Sequence, residues 1–195
     1  MHSARTLLVN TLLSTLALPA AAQVALDRDY LFYGYGGADV ETSSDNYHGL
    51  TVQTRTEVNT GAKLNLELTY AVRNANVFTG SGEADFTNGS ALYQHVFEAA
   101  PTYSVSGLVG ASYGAYHPDS DQESELGLAL GALGELQTSE RGAAHGRAMY
   151  HGADKFGLGI SIGFTQYFEN DSGIRLEYSM YQTATQVGFM FGYGY

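Results

Sequence analysis

Five histidines follow residue 22: His48, His95, His117, His145 and His151. A metal site needs three or four converging ligands. No H-x-x-x-H pair and no cysteine is present to begin one. His145 and His151 share strand parity with Arg147 and read as polar filler of an interior or its mouth. His95 shares parity with Tyr93 and Phe97, which puts it on an apolar face, where a lipid-modifying enzyme could use it. Ser104, Ser106 and Ser112 lie on one strand face, but a serine nucleophile needs a histidine and an orienting acid beside it. Gly110-Ala111-Ser112-Tyr113-Gly114 reads as a small-residue strand and not as a nucleophile elbow, because no helix follows it. Gly34-Tyr35-Gly36-Gly37 lacks the Lys-Ser/Thr and the helix N-terminus of a phosphate loop; it leaves room for a large neighbouring side chain. The run Asp119-Ser120-Asp121-Gln122-Glu123-Ser124-Glu125 has oxygen ligands suited to Ca²⁺, without the glycine and spacing of an EF-hand, and reads as a solvated loop. The residues therefore assign no catalytic, cofactor-binding or metal site, and the reading is of a protein that is not an enzyme and carries no cofactor.

The elements that hold these side chains follow from composition and period. The chain has 195 residues, a formal charge of −11, 24 Gly, 15 Tyr, 9 Phe and no Cys or Trp. Nine basic against 20 acidic residues argue against nucleic acid, whose phosphates need clustered positive charge. Without cysteine there is no disulfide scaffold and no thiol enzyme. Residues 1–22 read as an export signal: Arg5, a short apolar stretch from Leu7 to Leu18, then Pro19-Ala20-Ala21-Ala22 as a small-residue cleavage site. The stretch is too short to span a bilayer as a helix, which takes about 20 apolar residues. Residues 23–195 form one domain.

Beyond Gln23 the dominant period is two. Leu64, Leu66, Leu68, Tyr70 and Val72 fall on one face, while Asn65, Glu67, Thr69, Ala71 and Arg73 fall on the other, which a strand sorts and a helix scatters. Leu50, Val52, Thr54, Thr56 and Val58 alternate likewise just before, and Asn59-Thr60-Gly61-Ala62 joins the two as a hairpin. The pattern predicts ten strands at 29–40, 48–58, 63–73, 91–99, 102–116, 124–137, 143–151, 155–168, 173–182 and 185–195; merging 143–151 into a loop would leave eight. That gives about 17 residues per strand and connection, enough for the roughly 9 to 11 that a tilted membrane strand needs. The connections alternate in character. Those at 41–47, 74–90 and 117–124 are long and carry Glu41, Asp45, Glu83, Asp85, Asp119, Asp121 and Glu123; those near 59–62, 99–101, 138–142 and 169–172 are short, and the remaining two on the long-loop side, 152–154 and 183–184, depart from the pattern in being short as well.

Alternation alone suits both a membrane barrel and a soluble cup with its apolar side chains inside. Three features favour the membrane. The face opposite the apolar residues is rich in Gly, Ala and Ser, as a narrow lumen requires. Its charges come in both signs (Arg55, Glu57, Glu67, Arg73, Glu135, Arg147, Arg175 and Glu177) and could pair there. Aromatics gather toward strand ends at Tyr30, Phe32, Tyr70, Tyr113, Tyr116, Tyr167, Phe168, Tyr178, Tyr193 and Tyr195, as in an interfacial girdle.

The last strand, Val187-x-Phe189-x-Phe191-x-Tyr193-x-Tyr195, resembles the C-terminal assembly signal of bacterial outer-membrane β-barrels, and GLGISIGFTQYFENDSGIRLEYSMYQ is similar to the Gly-rich strand, turn and Arg-x-Glu-Tyr strand of the OmpA/OmpX-like superfamily. The resemblance implies an all-β, closed, antiparallel up-and-down transmembrane barrel in the outer membrane of a Gram-negative cell. Its partners would be outer-membrane lipid and, through the last strand, the barrel-assembly machinery. The expectation is a monomeric, non-enzymatic barrel with acidic outer loops, a structural or interaction role and a lumen plugged by Arg, Glu and small residues. A lipid-modifying enzyme, a narrow porin-like pore and a soluble lipocalin-like binder are the alternatives.

Overall fold

A computed structural model describes residues 26, 28–40, 46–73, 85–117, 123–152 and 157–195. Ten strands follow one another: β1 (Tyr30–Val40), β2 (Asn46–Asn59), β3 (Ala62–Arg73), β4 (Asp85–Ala100), β5 (Tyr103–His117), β6 (Glu123–Ser139), β7 (Gly142–His151), β8 (Gly157–Tyr167), β9 (Ser172–Met180) and β10 (Ala184–Gly194). Each pairs antiparallel with the next, and β1 closes on β10 through the register Tyr30↔Gly194 to Val40↔Ala184. The all-β, ten-strand, up-and-down barrel read from the alternation is the architecture observed, and β7 is a full member of it.

β1 begins and β10 ends at the end of the barrel that carries the connections 60–61, 101–102, 140–141 and 168–171, here the near end. The hairpin predicted around Asn59 turns there, with Gly61 at φ 78°, a left-handed conformation that costs glycine little. The longer connections lie at the far end. All of the acidic loop residues named above except Asp85 and Glu123 fall outside the described residues, and so do the side chains of those two.

One strand starts earlier than its composition implies. Residues 85–90 read as loop, yet β4 begins at Asp85. Phe86 pairs with Ala71 on β3 and with Tyr116 on β5, so the segment is hydrogen-bonded on both sides. Completed ladders on two edges outweigh the turn propensity of Asn88-Gly89-Ser90.

The apolar parity faces out. Leu66, Leu68, Leu128, Leu130, Ile160, Ile162, Leu176 and Phe189 are all exposed, and Leu126 and Leu128 keep more than seven-tenths of their surface. Inside stand Arg55, Lys63, Gln53, Gln94, Arg175 and Glu177, all buried. This is the reverse of a water-soluble cup, whose greasy side chains would line the cavity.

The girdle needs correcting at three positions. Tyr30, Phe32 and Tyr167 point inward and pack with Met190 into a buried cluster at the near end. Tyr70, Tyr113, Phe168, Tyr178, Tyr193 and Tyr195 are exposed, as expected of a girdle; the side chain of Tyr116 lies outside the described residues.

The small interior residues are there for the approach of neighbouring strands. A Cβ on Gly49 would sit 1.8 Å from the Tyr70 carbonyl oxygen and 2.5 Å from the Ala71 Cα. On Gly146, facing outward from β7, it would meet nothing within 4 Å. Gly49→Val is therefore expected to destabilise the closed barrel by about 1–3 kcal/mol or more, whereas Gly146→Ala should stay within about 0.5 kcal/mol of the parent. Equal unfolding midpoints for the two variants in detergent would contradict this packing.

Candidate functional site

The lumen gathers the polar residues of all the walls into one network. Arg55 on β2 reaches Glu135 on β6 at 2.7 Å, and Arg147 on β7 reaches Glu67 on β3 at 2.8 Å. Both pairs join strands four places apart around a ring of ten, so each crosses the interior and does not merely link neighbours. Arg147 also holds Glu177 on β9 at 3.1 Å, and its Nε donates to Ser161 at 3.1 Å. All three donor nitrogens of the Arg147 guanidinium thus have acceptors, the condition under which a buried arginine is tolerated.

Glu177 is the hub. Its Oε1 takes Arg147, while its Oε2 accepts from Arg175 at 3.1 Å and from Gln53 Nε2 at 3.1 Å. His145 Nε2 lies 3.3 Å from Glu177 Oε2 and 3.1 Å from Arg175 Nη2. His145 is therefore a member of the lumen network, as its parity predicted. His151 is buried at the far end, with its ring edge-on to Tyr181 at 5.3 Å.

Around this centre, buried apolar clusters pack at both ends of the lumen. Ala38, Val40, Tyr47, Ala71, Phe86 and Ala184 form a buried cluster at the far end, with Tyr181 packed against it. The near end holds the Tyr30, Phe32, Tyr167 and Met190 cluster. There the Tyr30 ring lies between Arg55 and Arg175, whose guanidinium carbons stand 4.9 and 5.0 Å from its centroid; such contacts strengthen where water is excluded. One wall of the lumen is greasy: Leu92, Leu108, Ala129, Leu133 and Met149 pack together inside β4 to β7. Their parity opposite to the outer leucines was readable, but only the curvature of the closed sheet brings them into contact.

Glu57, expected in the network, is exposed at the near-end rim; its backbone N–H donates to Asp29 at 2.8 Å. The irregularity between Glu57 and Asn59 in the β2–β3 register lies beside it. Arg73 is half-buried toward the far end. Sequence reasoning missed Arg28, Asp29 and Lys63. Lys63 is buried and lies 3.5 Å from Asp29, a pair that the position of Asp29 just before the first strand concealed.

The other candidates stay apart from one another. His95 faces outward beside Phe97, ring centroids 5.4 Å apart, as its parity implied. His48 also faces outward and shares a 2.5 Å hydrogen bond with Tyr35. Ser104 and Ser106 are buried in the lumen, where they bond Glu135 at 3.2 Å and Gln94 at 3.0 Å. The side chain of His117 and residues 118–122 lie outside the described residues. Among the described residues, no group of three or more His, Asp or Glu is placed to hold a metal ion. The segment Gly34 to Gly37 lies inside β1, where a Cβ on Gly34 would come within 2.2 Å of the Phe189 carbonyl oxygen. At Gly34 the close neighbour is thus backbone, whereas a Cβ on Gly37 would lie 2.9 Å from the Tyr35 hydroxyl, the kind of large side chain that the glycines suggested.

No family model matches the chain, and no curated protein matches it in sequence. Several solved structures are similar to it. Ail, the attachment invasion locus protein of Yersinia pestis, is 18% identical over 86% of this chain and 97% of its own, with a TM-score of 0.38. The outer membrane protein OprG from Pseudomonas aeruginosa is 11% identical over 89% of this chain and 98% of its own, with a TM-score of 0.44. KdgM porin is 8% identical over 85% and 99%, with a TM-score of 0.43.

Proposed function

We propose that this chain is a non-enzymatic integral protein of the bacterial outer membrane, exported by residues 1–22 and inserted as a monomer. In this reading the barrel braces the membrane and presents its acidic far-end loops to the outside, while the last strand engages the assembly machinery. The observation that carries the reading is the inversion of ordinary burial: leucines, isoleucines and aromatics cover the outside, and arginine–glutamate pairs fill the inside. An exposed apolar surface of that extent is costly in water and favourable against acyl chains.

The same pairs speak against a pore. Arg55–Glu135 and Arg147–Glu67 cross the lumen, and buried apolar clusters lie beyond them at both ends. An ion would have to break a buried pair and pass a packed plug. An enzyme would need a nucleophile and base together near the membrane edge, whereas His95 and the lumen serines face opposite sides of the wall.

The test is reconstitution. The chain should refold only with detergent or lipid, shift on an unheated gel, and give no steady current in planar bilayers. Folding to a monomeric β-protein without detergent would overturn the membrane reading, and stable single-channel steps would overturn the plugged lumen.

A further inference from the structure

Where β1 meets β10, the inner wall of the barrel is bare. Gly36 on β1 and Gly188 on β10 are register partners, and Gly188 shares the inward parity of the buried Gln186 and Met190. Against this stretch lies a cavity of about 10 Å³, whose lining includes Gly188, Thr51, Gln53, Glu67, Glu177 and Gln186. A space of that size holds one water molecule and nothing larger. A Cβ on Gly188 would lie 3.1 Å from Met190 Cε and 3.6 Å from Thr51 Cγ2, so a methyl group at this position would enter the same space.

Two of the lining residues carry buried polar atoms that have no hydrogen-bond partner among the described residues: Gln53 Oε1 and Gln186 Nε2. Both residues are more than nine-tenths buried. Turning the Gln53 amide over does not cure its orphan. Its Nε2 donates to Glu177 Oε2 at 3.1 Å, and the reverse orientation would set an oxygen against a carboxylate. One orphan is an acceptor and the other a donor, which decides what can lie between them. A cation would suit the Gln53 oxygen but face the Gln186 N–H. An anion would suit Gln186 but face the Gln53 oxygen, with Glu67 and Glu177 in the same wall. Water both accepts and donates, and it fits. We infer that this cavity is the binding site of a single water molecule, which accepts from Gln186 Nε2 and donates to Gln53 Oε1. Its second hydrogen has the oxygens of Thr51, Glu67 and Glu177 in the lining, which completes the roughly three hydrogen bonds of a buried water. The bound water ties β10 to β2 across the glycines of β1, and through Gln53 it steadies the Glu177 hub. The inference uses the lumen alone and goes beyond the proposed function without resting on it.

The direct test is a crystal structure of the folded protein, grown from rubidium bromide at a resolution that shows ordered water. The expected result is one oxygen peak about 2.7–3.2 Å from both Gln53 Oε1 and Gln186 Nε2. No peak between the two amides overturns the site, and so does a peak whose anomalous signal marks it as rubidium or bromide. Gly188→Ala supplies an independent test by the sign of its effect. The flexible end of Met190 can yield to the added methyl, which takes the space of the water. In a dry cavity the methyl would raise the unfolding midpoint, since it fills a void and alanine suits a strand better than glycine. With the water evicted, two buried amides lose their partner, so the midpoint should fall. In a Gln186→Met background, which has no donor to orphan, the same substitution should lower it less. An unchanged or higher midpoint for Gly188→Ala overturns the site. Should that variant not fold, the crystal structure of the parent decides alone.

Discussion

Arg147→Met will cost the folded barrel about 3–5 kcal/mol, the penalty for stripping the partner from buried charge. The side chain carries contacts to Glu67, Glu177 and Ser161 on three other strands. Its loss takes the cation from two buried carboxylates, leaving Arg175, Gln53 and His145 beside Glu177. Methionine matches the length of the stem, so the effect reports charge and hydrogen bonding more than volume. Arg147→Lys keeps the charge but cannot reach three acceptors from a planar fork, and should fall between the two. Denaturant unfolding of the vesicle-inserted barrel, followed by circular dichroism, measures the difference. The decisive comparison is a cycle with Glu67→Gln: removing Glu67 in the Arg147→Met background should recover part of the loss, because one orphaned charge is gone. An Arg147→Met variant as stable as the parent would mean that the pair does not brace the lumen.

Leu66→Arg has the second large effect, about 2–4 kcal/mol against insertion, the cost of a cation near the bilayer midplane on a lipid-facing strand. Leu66 lies midway along β3, exposed, between Thr54 on β2 and Ala91 on β4. The sign of the change carries the information. On a surface facing water, replacing an exposed leucine by arginine is close to neutral; only an apolar surround makes it expensive. Leu66→Ala serves as the control, since it removes contact area without adding charge. The measurement is the fraction of chain that becomes heat-modifiable after mixing with vesicles. If Leu66→Arg inserts as fully as Leu66→Ala, the belt does not lie in the bilayer core.

Much of the wall was legible in local pattern. From Lys63 to Arg73, apolar and polar side chains alternate cleanly, and the observed faces match through most of the strand, with Leu66, Leu68 and Tyr70 exposed and Thr69 and Ala71 buried; Val72, expected on the outer face, is buried. The same holds for β9, where Arg175, Glu177 and Ser179 are buried and Leu176, Tyr178 and Met180 are exposed. Where both parities carry large residues the pattern has no sign. Tyr30-Leu31-Phe32-Tyr33 could present either pair outward, and the barrel chose Tyr30 and Phe32 for the inside because Arg55 and Arg175 need a ring between them and Tyr167 and Met190 need partners.

The lumen was legible as a composition and illegible as a set of contacts. Arg55, Glu135, Arg147, Glu67 and Glu177 could be assigned to the inner face from parity alone. Which carboxylate meets which guanidinium depends on partners 80 residues apart, for Arg55–Glu135 and Arg147–Glu67 alike. No local rule reaches so far, because the pairing follows from how ten strands are staggered around the closed ring. The contacts of Leu26 and Arg28 were invisible for the same reason, since their partners, Arg55, Tyr167 and Asp171, are held by other strands and turns.

By itself, then, the order of residues determined that this chain would form strands, about how many, and which face of most would be greasy, because a side-chain period of two is a property of neighbours along the backbone. Closure decided the rest. Bringing β1 to β10 removed the sheet edges and set the register of every strand against the next. That register alone placed the charges across the lumen from their partners.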